Sequence, residues 1–311
     1  MKGYVNGDAL VTGLRCAAWL LAATPCAHAD TPAASPVLDG LLSSFSFSRD
    51  DLVARKYGSE WRNALDGLSL RVGLVHPLKR AAAPSGAGRQ GDRSSADSLQ
   101  VALHYAPVSY WFVGLTSIAY RDRDLQQPWD PDYTYAFGYD DWHPYTLSLV
   151  YANYGGNRFR PAAGESSTRF DEGQWTLGWK FNLPEAVERA VLIGNGDSAG
   201  CNLSLAVTPR FQDAATLAYE RNKWVGGLGC RYALRSGWYA NFTLLRYLDA
   251  GQQQPWNPDY TYGFGYFDWR PGSFSLQYNN YSGNRYSPSE RGPGTGRFEN
   301  GALTLSWTQA W

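Results

Sequence analysis

The segment from Gln126 to Pro161, QQPWDPDYTYAFGYDDWHPYTLSLVYANYGGNRFRP, returns as QQPWNPDYTYGFGYFDWRPGSFSLQYNNYSGNRYSP from Gln253 to Pro288, at an offset of 253 − 126 = 127 with 24 of 36 positions identical. Whatever fold one copy adopts, the other must adopt as well. The offset continues upstream, where Tyr105, Trp111, Thr116 and Tyr120 fall on Tyr232, Trp238, Thr243 and Tyr247. After one inserted residue it resumes downstream, matching Arg169-Phe170 to Arg297-Phe298 and Trp179 to Trp307. A unit running from Tyr105 to Trp179 is longer than the roughly 20 to 50 residues of a solenoid repeat, so the duplication reads as two halves of one closed structure.

Within each copy the polarity alternates with period two. Tyr133, Tyr135, Phe137 and Tyr139 alternate with Asp132, Thr134, Ala136, Gly138 and Asp140; Leu147, Leu149 and Tyr151 alternate with Thr146, Ser148, Val150 and Ala152. Trp175, Leu177, Trp179 and Phe181 do so against Gln174, Thr176, Gly178 and Lys180. Period two predicts strands with one apolar face. Six are expected in the first half, at 67–77, 98–107, 110–121, 131–141, 145–154 and 171–182. Six more are expected at 200–211, 220–235, 236–247, 258–268, 272–281 and 300–311. The run lengths suit tilted membrane strands of about 9 to 11 residues. Short connections at 107–109, 143–144, 235–237 and 270–272 alternate with longer ones at 78–97, 122–130, 155–170, 212–219, 248–257 and 282–299. That alternation predicts an all-β, transmembrane, antiparallel up-and-down barrel of about twelve strands in two tandem six-stranded repeats, with short turns facing the periplasm and long loops outside.

Other features fit export. Lys2, Arg15, the apolar stretch CAAWLLAA and Ala27-His28-Ala29 predict a signal peptide over 1–29 and a mature start at Asp30. The remaining divisions are a periplasmic segment over 30–66, either a short helix or a lumen plug, half-barrels over 67–182 and 200–311, and a periplasmic connector over 183–199 in which PEAVERAVL could turn once or twice. Formal net charge is zero, which excludes the basic surplus of a nucleic-acid binder. The mean hydropathy of −0.41 excludes no barrel, because alternating strands average out as polar. Cys201 shares its phase with Leu203 and Leu205, and Cys230 with Leu228, so a disulfide between neighbouring strands is expected. Two mature thiols and three scattered histidines predict neither a metal site nor another cofactor.

The last strand, GALTLSWTQAW, carries Leu303, Leu305, Trp307 and a terminal Trp311. It resembles the C-terminal strand of bacterial outer-membrane barrel proteins, although Gln309 stands where an apolar residue is usual. The resemblance implies a Gram-negative outer-membrane location, contact with its lipids and recognition of Trp311 by the barrel-assembly machinery. It carries over no functional residue.

Candidate site residues fall into two groups. Arg71, His104, Asp140, Lys180 and Arg231 lie in the inward phase with Asp132 and Asp259, interspersed with Gly73, Ala102, Gly114, Ala136, Gly138, Gly178, Gly229, Gly263 and Gly265. Small wall residues either leave room for water or relieve crowding. The PW[DN]PDY loops carry Trp129, Asp132, Trp256 and Asp259, and the GNR triplets add Arg158 and Arg285 beside Asn157 and Asn284. Aromatic faces with carboxylates suit saccharides, and the same residues suit turns. Trp111, Trp142, Trp175, Trp238, Trp269 and Trp307 are expected in aromatic girdles. Gly196-Asp197-Ser198-Ala199-Gly200 matches G-x-S-x-G, but a strand follows where a nucleophile elbow needs a helix, so no catalytic residue is assigned. The expected function is a channel or export port for polar solutes such as saccharides. The alternatives are a lipid hydrolase using His76, His104 or His143, and a non-conducting structural or adhesion barrel.

Overall fold

The computed structural model describes residues 67–78, 97–108, 110–123, 126, 130–141, 143–161, 169–184, 186–187, 192, 194, 196–213, 216, 218–254, 257–268, 270–281, 284–286 and 297–311. The expected signal peptide, the segment over 30–66, Trp129, Trp142, Trp256 and Trp269 lie outside the described residues.

Twelve antiparallel strands close into one barrel in which each pairs with its chain neighbours and the last pairs with the first. They are β1 (Leu68–Pro77), β2 (Ser98–Val108), β3 (Trp111–Tyr120), β4 (Tyr133–Asp140), β5 (Leu147–Asn153), β6 (Gln174–Asn182), β7 (Ser198–Gln212), β8 (Tyr219–Ala233), β9 (Trp238–Tyr247), β10 (Tyr260–Tyr266), β11 (Ser273–Asn280) and β12 (Ala302–Ala310). The seam is a regular ladder from Ser69 opposite Ala310 to Pro77 opposite Ala302, extended by a bond from the Trp311 N–H to the Leu68 carbonyl at 3.0 Å. Closure leaves no exposed strand edge.

The period-two pattern sets the two faces. Leu74, Val113, Leu147, Leu149, Leu177, Leu203, Leu205, Phe242, Phe264, Leu276 and Leu305 point outward and are exposed, some above half of their surface. Their chain neighbours Thr116, Ser148, Gln174, Thr176, Asn202, Ser204, Thr243, Gln277, Thr304 and Ser306 point inward and are buried. Trp111 and Trp238 stand on the outer face at the short-turn end, about half exposed. Among the described residues no helix is long and apolar enough to cross a membrane, which says nothing about strands.

Strands β7 and β8 run to 15 residues each, against 7 to 11 for the other strands. The connection expected at 212–219 is thereby shortened to 213–218, beyond an overhang of these two strands. The overhang is pinned by Arg210, which lies over the Tyr219 ring at 3.8 Å and approaches Asp171 and Glu172 of the 3-10 turn Phe170–Glu172 at 3.6 and 3.8 Å.

At the other end the 183–197 connector is held by Asp197, which accepts from the Tyr232 hydroxyl at 2.8 Å and from the N–H groups of Arg235 and Gly194 at 3.0 and 2.9 Å. The backbone bond from Arg235 and the Tyr232 hydroxyl hold its carboxyl below the usual range despite some desolvation. Its stabilising effect is complete above the ordinary carboxyl value of about 3.9 and is lost as pH falls through the lower folded value. One turn, Val187 N–H to the Pro184 carbonyl at 2.8 Å, stands where PEAVERAVL begins; residues 188–191 lie outside the described residues.

Cys201 and Cys230 are direct cross-strand partners on β7 and β8 and form a disulfide across a sequence separation of 29. Closing a loop of that length removes unfolded-state entropy worth about 3 kcal/mol. The Cys201→Ser, Cys230→Ser double variant, unfolded by urea in lipid vesicles under two-state conditions, is expected to lose about that much stability. An unchanged midpoint would show that the bridge contributes nothing.

Candidate functional site

The interior wall and the long-loop rim hold the polar side chains, and the rim is built twice. In the first copy the Asp132 carboxylate accepts from Gln126 Nε2 at 2.8 Å, from the Phe159 N–H at 3.1 Å and from Arg158 Nη1 at 3.4 Å. In the second, Asp259 accepts from Gln253 Nε2 at 2.8 Å, from the Tyr286 N–H at 3.1 Å and from Arg285 Nη1 at 3.3 Å. The backbone repeats the match, with Asp132 N–H to the Asn157 carbonyl at 2.6 Å and Asp259 N–H to the Asn284 carbonyl at 2.7 Å. Each aspartate thus ties two neighbouring rim loops into a knot. The knots adjoin β4 and β10, six places apart in a ring of twelve, and so lie on opposite sides of the mouth.

Below each knot the same chain folds back onto the outer wall. Tyr151 donates to the Phe170 carbonyl at 2.8 Å, and the two rings stack with centroids 4.3 Å apart. Asn153 Nδ2 donates to the Arg169 carbonyl at 2.9 Å. Tyr278 likewise donates to the Phe298 carbonyl at 2.7 Å with rings 4.2 Å apart, and Asn280 Nδ2 donates to the Arg297 carbonyl at 2.7 Å. A Cβ on Gly173 would sit 2.1 Å from the Tyr151 hydroxyl, and one on Gly301 would sit 2.4 Å from that of Tyr278, so only glycine admits the tyrosine beneath the loop.

Lower in the lumen, near the short-turn end, the remaining charged candidates gather. Lys180 Nζ meets Asp140 Oδ1 at 2.5 Å and donates to the Asp141 carbonyl at 3.0 Å. Arg231 on β8 lies over the Tyr239 ring at 4.1 Å, and His104 on β2 stacks on Phe112 at 5.1 Å. Arg71 on β1 lies toward the same end of the barrel, close to the chain start of its strand. Sequence reasoning missed Lys223, buried and 3.3 Å from Asn257 Oδ1, although its phase with Gly227, Gly229 and Arg231 marks it as inward. It also missed Phe112 and Tyr239, whose pairing with His104 and Arg231 is diagonal across strands and leaves no trace in one strand's pattern.

Twelve strands at a spacing of about 4.8 Å and a tilt of about 40° make a backbone cylinder roughly 24 Å across, between filled eight-stranded barrels and open sixteen-stranded ones. The inner wall is packed toward both ends: Gln174, first in β6 at the long-loop side, and Asn202, opposite Lys180 toward the short turns, are 0 and 1% exposed. Both polar atoms of each of these amides, with the hydroxyls of Ser275, Thr304 and Ser306, lack a protein hydrogen-bond partner. Buried amides so placed call for water or a polar solute.

For hydrolytic chemistry, His76 Nδ1 meets Asp97 Oδ1 at 2.7 Å and His143 Nδ1 meets Asp141 Oδ1 at 2.6 Å. Desolvation pushes the Asp141 carboxyl up, but the hydrogen bonds and charge of His143 outweigh it and hold the carboxyl below the usual range. Near that pair the Thr146 hydroxyl donates to the backbone carbonyls of Asp141 and His143, at 3.1 and 2.6 Å. Ser198 begins β7 opposite Ala233. Among the described residues no group of three or more His, Cys, Asp or Glu could hold a metal.

No family model and no curated protein matches the chain. Among solved structures it is similar to an outer membrane channel from Pseudomonas putida F1, with 12% identity and a TM-score of 0.36 over 78% of this chain and 95% of that one. At that score the likeness carries no argument about this chain.

The knots lie on opposite sides with separate partners, so their contributions should add. Hydrogen bonds to charged groups contribute about 1.5–3 kcal/mol. Asp132→Ala and Asp259→Ala are each expected to lose about 2 kcal/mol, and the double variant their sum to within about 0.5 kcal/mol, in urea unfolding. A double variant no worse than either single one would mean the knots are not independent.

Proposed function

We propose that the chain is an outer-membrane port for small polar solutes. The observation that carries this reading is a closed cylinder with leucines and aromatics on its outer face and buried, unpartnered amides and hydroxyls on its inner face. An apolar exterior on a closed sheet suits hydrocarbon, which tolerates no open edge. A polar interior lacking protein partners suits water and dissolved solutes. In this reading residues 1–29 are removed on export, the short turns and the 183–199 connector face the periplasm, and the knotted rim faces outward. Segment 30–66 lies in the periplasm or enters the lumen. The two halves arose as tandem repeats, and Trp311 presents the last strand to the assembly machinery. The solute class includes neutral sugars only as one case, since the rim carboxylates that suggested saccharides are engaged within their own loops.

Two measurements test the reading. Purified barrel added to a planar bilayer is expected to give discrete conductance steps, small ones in keeping with the packed inner wall. A folded barrel that never conducts would overturn the port in favour of a structural or adhesive role. For membrane insertion, Leu205→Arg on the outer face near mid-height is expected to cost about 2–4 kcal/mol of stability in vesicles, as a cation facing hydrocarbon does. Tolerance of that variant would argue that the outer face does not meet lipid.

A further inference from the structure

The inner wall is lopsided in charge. Below the rim knots, the described inward strand positions carry four basic side chains, Arg71, Lys180, Lys223 and Arg231, against one carboxylate, Asp140, which Lys180 holds. Arg71, Lys180 and Arg231 lie near the short-turn ends of β1, β6 and β8, where Arg231 stacks on Tyr239 of β9. Asn202, buried with both amide atoms unpartnered, sits directly opposite Lys180 in the β6–β7 ladder and adds a donor to that level. The sequence offset also relates two pairs here: 231 − 104 = 127 and 239 − 112 = 127 set Arg231 on Tyr239 against His104 on Phe112. Strands β2 and β8 are six places apart, so the arginine-on-tyrosine pair and the histidine-on-phenylalanine stack face each other from opposite walls.

We infer that this level is an anion-selecting constriction and that the port favours small solutes bearing carboxylate, phosphate or sulfate groups. The inference rests on the port reading and names its substrate class. A ring of guanidinium and ammonium groups in a narrow, low-dielectric bore raises the local anion concentration and repels cations, because field lines are focused where water is scarce. Arginine adds the planar fork that fits oxyanions. Stacking on Tyr239 holds Arg231 extended along the wall, and the donors of Asn202 offer the neutral part of the site. Lys223, nearer the rim, extends the positive path toward the mouth.

The test is the zero-current potential of wild-type barrel in a planar bilayer under a potassium chloride gradient, followed by acetate and phosphate. Chloride is expected to permeate several-fold better than potassium. Arg71→Ala and Arg231→Ala should each lower that ratio, and Arg71→Lys and Arg231→Lys should keep most of it. Heat-modifiable migration on gels confirms that each variant is folded, and the sign of the wild-type potential decides the matter should an alanine variant fail to fold. Conducting channels that prefer potassium, or that ignore loss of both arginines, would overturn the anion site and leave the port standing. Folded barrel with no conductance would overturn both.

Discussion

Closure of the hydrogen-bonded sheet on itself is the constraint from which the rest follows. Once β12 pairs with β1, every strand has two neighbours, and each side chain must take one of two faces. With only two destinations, a period-two sequence fully determines what the outside and the inside are made of. The greasy exterior and the polar bore are one fact seen from two sides.

Much of this was legible because the strand pattern is local. Tyr133, Tyr135 and Phe137 against Thr134, Ala136 and Gly138 placed β4 to within two residues, and the twelve strand ranges read from sequence overlap the twelve observed. The long β7 and β8 were legible as well, since the expected strands 200–211 and 220–235 already take in Thr208 and Arg221 and their ends differ from the observed ones by one or two residues. The disulfide pair could be read because Cys201 and Cys230 share a phase with leucines on adjacent strands.

The polar groupings were less legible, because alternation states which face a residue takes and not what it touches. Asp132 and Arg158 appear in the sequence as parts of two unrelated motifs, 26 residues apart, yet they close one knot. Gln126 and Gln253 head the repeated segment without any sequence signal for the bonds they make to Asp132 and Asp259. The tyrosines covered by Phe170 and Phe298 read as lipid-facing on phase alone, and a fold-back of the loop hides them.

On the port reading, the unpartnered amides of the inner wall have a consequence for what the barrel turns away. A hydrocarbon molecule slim enough to enter would strip hydration from Gln174, Asn202 and Ser306 without replacing it, at about 1–3 kcal/mol for each group stranded. Slenderness is therefore not enough for admission. On the port reading the wall discriminates by the cost of drying it, and the oily molecules of a surrounding bilayer would be the ones it refuses.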